Sequence, residues 1–578
     1  MTGYEKKIIR HQLLADPAGL PEALHPVLRR IYAARGITRA EELEQGLERL
    51  LPLSQLKGVE QAAELLHRQL EQGGRILIVG DFDADGATSC ALAMRALRLM
   101  EAAEVCYLVP NRFDYGYGLT PAIVVEALKL APDLIVTVDN GISSLKGVAA
   151  ANEAGVPVLV TDHHLPGDEL PAAAAIVNPN QPGDTFPSKN LAGVGVIFYV
   201  MLALRTRLRE QGWFEQRAIA EPNLAELLDL VALGTVADLV PLDHNNRILV
   251  QQGLRRIRAG RCCPGIEALL ENARRNPRRT VASDLGFAVG PRLNAAGRLE
   301  DISVGIECLL SDDPMAAREI AQQLDKLNRN RRQIEGEMHQ QALEDLDEVV
   351  PTEGELPFGL CLFNAEWHQG VVGILASRIK ERYHRPVIAF APAGNGMIKG
   401  SGRSVSGLHL RDALDAIATR HPGILERFGG HAMAAGMTLQ EKDLDAFTEA
   451  FDHEVHRHLD ADALQGVIHS DSALANDELN LGLAELLRDA GPWGQGFPEP
   501  VFDGQFDVID SRIVGEHHLK LRLSLAGGGT VLDAIAFNQA EQAAEIRKNQ
   551  IQIAYRLDVN EYRGDRNLQL VVEHIAPL

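Results

Sequence analysis

At 578 residues, with 46% hydrophobic and 24% charged side chains, the chain is too long for a single ordinary domain and has enough apolar residues for several cores. Its six cysteines form no C-x-x-C pair, no apolar run approaches the ~20 residues of a membrane span, and no apolar stretch follows the charged N-terminus; these argue against a zinc site, a disulfide framework, a membrane anchor and a secretory signal. A cytoplasmic monomer is the simplest expectation, and a net charge of −22 leaves any contact with nucleic acid to local basic surface. Residues 1–50 read as an N-terminal segment and 51–311 as an α/β domain. In that domain RILIVG (Arg75–Gly80), Val105–Val109, Asp133–Val138 and Pro157–Val160 predict strands, and Ala87–Met100, Thr120–Ala131 and Leu145–Ala154 predict helices. The alternation implies a parallel sheet with right-handed crossovers. Helices dominate from Leu191 to Leu270, and the charged stretch 312–350 reads as one long connecting helix. Residues 351–458 return to alternating strand and helix as a second α/β domain. In 459–578 five short strands, Val501–Val514, His518–Leu525, Val531–Phe537, Ile551–Val559 and Leu568–His574, predict a small β-barrel of the oligonucleotide-binding (OB-fold) type, with Lys520, Arg522, Arg556, Arg563 and Arg566 near their ends and Phe537, Tyr555 and Tyr562 as candidate stacking residues.

Acidic residues and histidines follow the predicted parallel strands. Arg75–Gly80 runs into Asp81, Asp83 and Asp85 in GDFDADG, Asp133–Val138 into Asp139 in VDNGI, and Pro157–Val160 into Asp162, His163 and His164 in TDHH. The carboxyl ends of neighbouring parallel strands lie together, so these residues are expected in one crevice, with Asp238 of GTVADLVPL joining from a helical segment. A single aspartate after a strand is usually a helix N-cap, but three such sites at three strand ends are hard to read as caps. Crowded carboxylates need cations to neutralise them, and carboxylate mixed with imidazole suits Mn²⁺ or Mg²⁺. Two ions sharing a carboxylate favour phosphoester hydrolysis. DFDADG also fits the opening of an EF-hand loop, yet its twelfth position is Leu92 and it follows a strand, which sets calcium binding aside. Three basic clusters are candidates for phosphate contact: eight arginines between Leu254 and Thr280 against Glu267 and Glu271; Lys326, Arg329, Arg331 and Arg332; and Arg378, Lys380, Arg382 and Arg385.

The Asp162–His163–His164 triplet resembles the signature of the DHH phosphoesterases. The ordered series VGDFDADGATS, VPNRFDYGYGL, VTVDNGIS, VTDHHLPG, LAGVGVIFY and LVALGTVADLVPL resembles the RecJ-type exonucleases among them. WHQGVVGILASRIKERYHRPVI, KGSGRS and FGGHAMAAG resemble the associated DHHA1 domain, and GPWGQGFPEP and LKLRL carry the likeness into the C-terminal region. The resemblance implies a 5′→3′ exonuclease specific for single-stranded DNA that releases 5′-mononucleotides with two Mn²⁺ or Mg²⁺ ions in DNA repair and recombination. A DHH phosphodiesterase of short oligonucleotides or cyclic dinucleotides is the alternative. It implies Asp83, Asp85, Asp139, His163 and Asp238 as metal ligands, with Asp139 bridging, and Asp81 close by. His164 would ligate metal or touch phosphate, and Asp162 would orient the loop. Arg112 and Arg298 would hold a terminal 5′-phosphate, with Arg292 the alternative in that segment. Ser401, Arg403 and Ser404 would cradle phosphate, and His431, with Gly429 and Gly430 permitting close approach, would reach the scissile phosphate. A single-strand-binding protein and a DNA helicase are the partners it implies, and the passage for the strand would run between the two α/β domains.

Overall fold

The computed structural model of the chain describes residues 6–109, 118–349, 356–460, 463–525, 530–544, 546, 550–562 and 565–577. It divides into two compact units, one of Leu13–Asn328 with Glu485–Glu499, the other of Met1–Gln12, Arg329–Ala484 and Pro500–Leu578. Strand β1 (Lys7–Arg10) thus belongs to the second unit. Among the described residues no helix is long and apolar enough to cross a membrane.

The first unit is built on a parallel sheet of β2 (Arg75–Gly80), β3 (Glu104–Leu108), β4 (Leu134–Val138), β5 (Val158–Thr161) and β6 (Ala175–Val177), in the order β3-β2-β4-β5-β6. β4 and β5 are buried throughout and β2 nearly so, as expected where helices cover both faces of a parallel sheet. β6, only three residues long, has no counterpart among the predicted strands. Helix Ala84–Leu99 follows β2, Pro121–Leu128 precedes β4 and Leu145–Glu153 follows it. Thr120 and Asp83 sit just outside their helices as N-caps, which is why these helices begin where they do. Strand order reverses beside β2, with β3 on one side and β4 on the other, so the carboxyl ends of β2 and β4 border the crevice where such sheets bind ligands. Helices Gly193–Glu210 and Leu228–Ala237 pack on Ala84–Leu99 and close the crevice from one side.

The segment 485–499 completes this unit although the chain on either side belongs elsewhere. Trp493 stacks on Phe497 (5.1 Å between ring centres), Tyr32 lies 6.2 Å from Phe497, and the Arg247 guanidinium lies over the Phe497 ring at 4.3 Å. The Tyr32 hydroxyl donates to the Ala490 carbonyl (2.9 Å), and the Leu242 amide donates to the Gln495 carbonyl (2.7 Å), which ties the segment to the loop after Asp238.

The second unit holds a mixed sheet of β7 (Leu360–Phe363), β8 (Val387–Gly394), β9 (Met397–Arg403), β10 (Arg427–Gly430) and β11 (Ala434–Gln440), ordered β10-β11-β9-β8-β7 with only β7 and β8 parallel. β12 (Val467–Ser470) pairs in parallel with β1, and Arg10 of β1 holds Asp503 with two hydrogen bonds (2.9 and 3.0 Å). Asp503 opens the closed barrel of β13 (Phe502–Val514), β14 (His518–Leu525), β15 (Val531–Ala536), β16 (Gln550–Tyr562) and β17 (Asp565–Pro577), ordered β13-β14-β15-β17-β16. Five strands closed in this order, with β15 and β17 the one parallel pair, make the oligonucleotide-binding barrel that the sequence predicts. Phe502, Phe506 and Tyr555 fill its interior; Tyr555, a candidate stacking residue by sequence, faces inward, whereas Phe537 is 50% exposed beside His518. The Tyr562 side chain and Arg563 lie outside the described residues. One helix, Pro314–Val349, fills the stretch read as a connector.

Two of the basic clusters are partly internal. Arg331 and Arg378 both bind Glu335 (2.9 and 3.0 Å), and buried Arg385 donates to the Leu464 carbonyl (3.1 Å). The arginines at 255, 261, 274, 275, 278 and 279 are exposed.

Phe497 carries the packing of a segment that is remote in sequence from the rest of its unit. Phe497→Ala is expected to cost about 3–5 kcal/mol, the usual range for emptying a buried aromatic site, read as an early unfolding transition in denaturant. An unchanged transition would show that the segment contributes no stability.

Candidate metal centre

The carboxyl ends of β2, β4 and β5 deliver Asp81, Asp83 and Asp85, then Asp139, then His163 and His164, to one place. Asp238 joins them from the end of helix Leu228–Ala237. Ligand atoms within 4.8 Å of one another form three overlapping sets: Asp81, Asp83 and Asp139; Asp85, His163 and Asp238; and Asp139, His163 and His164. Asp139 belongs to two of these sets, and its backbone is left-handed (φ 61°), a turn that brings its carboxylate back over the sheet edge.

Each side chain is fixed by a neighbour. Asp83 accepts from the Asp85 and Gly86 amides (3.0 Å each) at the start of helix Ala84–Leu99. Asp85 accepts from the Gly193 and Val194 amides (2.6 and 3.0 Å), the N-terminus of helix Gly193–Glu210, where a negative charge is favoured. Asp162 does not enter the cluster: its carboxylate accepts from the Ile142, His163 and His164 amides (2.9, 2.7 and 3.1 Å) and from the His164 ring (2.7 Å). It therefore orients the loop that presents both histidines. The His163 Nε2 lies 3.1 Å from Asp139 and 3.5 Å from Asp238, buried and without a hydrogen bond of good geometry, while the Leu191 backbone holds the ring.

Protonation follows from this arrangement. Burial, then the neighbouring Asp83 charge, pushes the Asp85 carboxyl up to about 7. Burial and the surrounding aspartates raise Asp139 and Asp238 well above the usual carboxylate range. Burial and the His164 charge lower His163 to about 4, leaving it neutral. Burial opposes the charge on His164 as well, but the hydrogen bond to Asp162 together with the charges of Asp162, Asp238 and Asp81 outweighs it and raises His164 to about 9. Carboxylates driven toward protonation beside a neutral imidazole with a buried, unsatisfied Nε2 fit divalent cations of the Mn²⁺ and Mg²⁺ type.

Several residues that shape the site by their size escape a reading based on charge. A Cβ on Gly193 would lie 2.6 Å from the Asp139 Cβ, and one on Gly234 would lie 2.7 Å from Asp85 Oδ1. Asn294 accepts from the Ala84 amide (2.8 Å) and holds the DFDADG loop, and Asn140 donates to the carbonyls of Val79 and Val138 (3.1 and 2.9 Å). Their signal was present in GVG, ALGTVAD, PRLNAAGR and VDNG, but no charge marked it.

The remaining candidates fall elsewhere. Arg112 lies outside the described residues. Arg298 ends helix Gly290–Leu299 in the metal-bearing unit, whereas Arg292 of the same helix is buried against Asp325 (2.7 Å) and the Ala288 carbonyl (2.6 Å), a structural ion pair. In the second unit the Ser401 hydroxyl accepts from Arg403 (3.1 Å) along β9. Ser404 is buried and donates to the Leu408 carbonyl (2.9 Å), so it faces inward and holds the turn. Gly430, at φ 144°, would clash through any Cβ with the Ala434 carbonyl (2.4 Å), and His431 is exposed on the turn between β10 and β11.

The DHH family N-terminal domain matches residues 75–235, the DHHA1 domain 357–457 and the RecJ OB domain 470–574. The single-stranded-DNA-specific exonuclease RecJ of Dickeya dadantii is 59% identical over 97% of each chain. The chain belongs to the RecJ family. The Escherichia coli RecJ is 56% identical over 99% of each chain. The crystal structure of Thermus thermophilus RecJ in complex with Mn²⁺ superposes with a TM-score of 0.79 at 31% identity, over 99% of this chain and 79% of that one.

For Asp85 the folded value, about 7, lies above the ordinary 3.8, so this group favours folding at low pH and opposes it progressively as pH rises between the two; Asp139 and Asp238 act in the same direction. Asp162, lowered by His164 against the effect of burial, acts in the opposite direction, so the contribution is read as the difference between wild type and Asp139→Asn. In chelator, Asp139→Asn is expected to melt higher than wild type at about pH 8 and to lose that advantage near pH 4. Mn²⁺ should stabilise wild type more than the variant. Coincident melting at every pH, with no response to Mn²⁺, would rule out the metal centre.

Proposed function

We propose that the chain is a single-stranded-DNA-specific exonuclease that hydrolyses the strand from its 5′ end and releases 5′-mononucleotides, using two Mn²⁺ or Mg²⁺ ions. The observation that carries this reading is the convergence of Asp81, Asp83, Asp85, Asp139, His163 and Asp238, in a chain matching single-strand-specific exonucleases along 97% of its length. Asp83, Asp85, Asp139, His163 and Asp238 would hold the ions, with Asp139 shared and Asp81 adjacent. Bound there, the ions supply a water of lowered pKa and neutralise the phosphoryl oxygens.

The chain's own groups prepare the phosphate for attack. His163, neutral at working pH, offers a lone pair rather than a competing positive charge. His164, kept cationic by Asp162, adds positive charge where phosphate enters. Arg298 and Arg112 would bind the terminal 5′-phosphate through guanidinium forks. In the second unit Ser401, Arg403, Gly430 and His431 are proposed phosphate contacts, to which Ser404 contributes through the turn it holds. The barrel would hold the strand further along, with Phe537 exposed for stacking and Lys520 and Arg522 on β14 for the backbone. Cooperation with a single-strand-binding protein and a DNA helicase in repair and recombination belongs to the same proposal; absence of any rate gain when either is added to digestion of a tailed duplex would count against it.

End-labelled strands test the reaction. Wild type should degrade 5′-phosphorylated single strands from that end and leave blunt duplex intact, and folded Asp139→Ala should be inactive. Arg298→Ala should lower kcat/KM on the phosphorylated strand roughly 10–100-fold, the loss of a charge-assisted contact of about 1.5–3 kcal/mol, and should spare a 5′-hydroxyl strand. Phe537→Ala should weaken binding of a long strand by about 1–3 kcal/mol without changing kcat. Digestion from 3′ ends, or turnover of cyclic dinucleotides but not of strands, would overturn the proposal.

A further inference from the structure

Phe287 is 74% exposed, although its neighbours Leu285, Ala288 and Val289 are buried in the same helical turn. That turn, Leu285–Val289, is a π-helix, a geometry rare in proteins and concentrated at functional sites. It is anchored firmly. Arg292 donates to the Ala288 carbonyl (2.6 Å) and pairs with Asp325 (2.7 Å), while Gly286 and Gly290 pack so closely on Val236 and Ala237 that a Cβ on either would meet those side chains at 3.1 Å. The widened turn therefore seats Leu285, Ala288 and Val289 on the core and leaves the phenyl ring in solvent. Val236 and Ala237 are the two residues before Asp238, and the residue after it, Leu239, is 62% exposed at φ 63°. The turn that carries the exposed ring thus packs on the two residues before a candidate metal ligand, and the residue after that ligand is a second large apolar side chain in solvent.

The same helical run continues past the other ligands. After Leu285–Val289 comes helix Gly290–Leu299, whose Asn294 accepts from Ala84 (2.8 Å) and whose Gly297 lies against the Phe82 carbonyl, so it runs along the DFDADG loop and ends at Arg298. Phe287 and Arg298 are separated by about 16 Å of helix, at ~1.5 Å per residue. A stacked strand advances about 3.4 Å per nucleotide, so this span exceeds a single nucleotide step.

We propose that Phe287 is a nucleobase platform: it stacks a base of the substrate strand on the 3′ side of the bond being cut. The helical run then orders the strand, with Arg298 at the terminal phosphate, the carboxylates at the scissile phosphate and the ring beyond them. Aromatic stacking suits an enzyme that must accept every sequence, because each base offers a π-face. This inference rests on the reading of the chain as a 5′ exonuclease.

The test uses the full chain and 5′-phosphorylated strands carrying one abasic nucleotide at successive positions from the 5′ end. Wild type should show a raised KM when the abasic position coincides with the ring, at one or two positions a few nucleotides from the end. Phe287→Ala should raise KM for the fully base-bearing strand roughly five- to a hundredfold, as expected for a lost stacking contact, and should lose the position-specific abasic penalty. The loss should shrink on a 5′-phosphorylated dinucleotide, too short to reach the ring, and Mn²⁺ affinity should stay at the wild-type value. Phe287→Trp should restore the abasic profile. Phe287→Leu, which keeps apolar bulk without a π-face, supplies the same test if the alanine variant does not fold. An abasic penalty that survives in Phe287→Ala and Phe287→Leu, or an equal loss on the dinucleotide, would overturn the platform. A wild type that does not digest from the 5′ end at all would instead overturn the reading beneath it.

Discussion

Carboxylates crowded into a mostly buried crevice repel one another, and much of the metal-bearing unit serves to hold them in place against that repulsion. Asp139 and Asp85 are almost completely buried, and Asp81 nearly so. The sheet answers with strands whose interiors are apolar and close-packed, so their ends cannot retreat. Helix termini answer with partial positive charge: Asp83 caps its own helix, and Asp85 takes two amides from the start of another. Asp139 occupies a left-handed backbone position, uncommon for non-glycine residues but better tolerated by aspartate than by most. Cations remove the conflict that all these devices withstand, so the scaffold is arranged in advance for a charge that it does not itself supply.

The adjacent histidines show how finely the same crevice sorts protons. His163 and His164 are neighbours in sequence with ring centres 4.5 Å apart, yet one is driven to about 4 and the other to about 9. The difference is Asp162, which binds the His164 ring directly and meets His163 through the backbone amide. A neutral imidazole has a lone pair to offer a cation and a protonated one has a charge to offer an anion, so one carboxylate gives two identical side chains opposite capacities.

What the sequence made legible follows from which interactions are local. A strand buried on both faces reads as a continuous apolar run, and an aspartate at its end stands out against it; Arg75–Gly80 and the groups after it were therefore plain. The barrel strands were visible through their alternation and their turns. Alternation does not reveal which face is inside, however, and Tyr555 turned out to be core rather than surface. Clustered arginines look alike in sequence whether they face solvent or Glu335. Residues that act by occupying little space, Gly193 and Gly234, carry no chemical label, and their role is visible only once Asp139 and Asp85 lie against them. Pairings across most of the chain, β1 with β12 or Tyr32 with Phe497, leave no local pattern at all.

The placement of residues 485–499 has a consequence for the order in which the protein is made. A chain leaving the ribosome exposes all its metal-ligand candidates by Asp238, yet the ring stack of Trp493 and Phe497 on Tyr32, and the Gln495 carbonyl that receives the Leu242 amide, arrive only after a further 250 or so residues. The unit that bears the carboxylates therefore cannot finish folding in the order of synthesis. Until translation has passed Glu499, the loop after Asp238 lacks its support, and a nascent or prematurely terminated chain displays the acidic cluster on an unfinished scaffold.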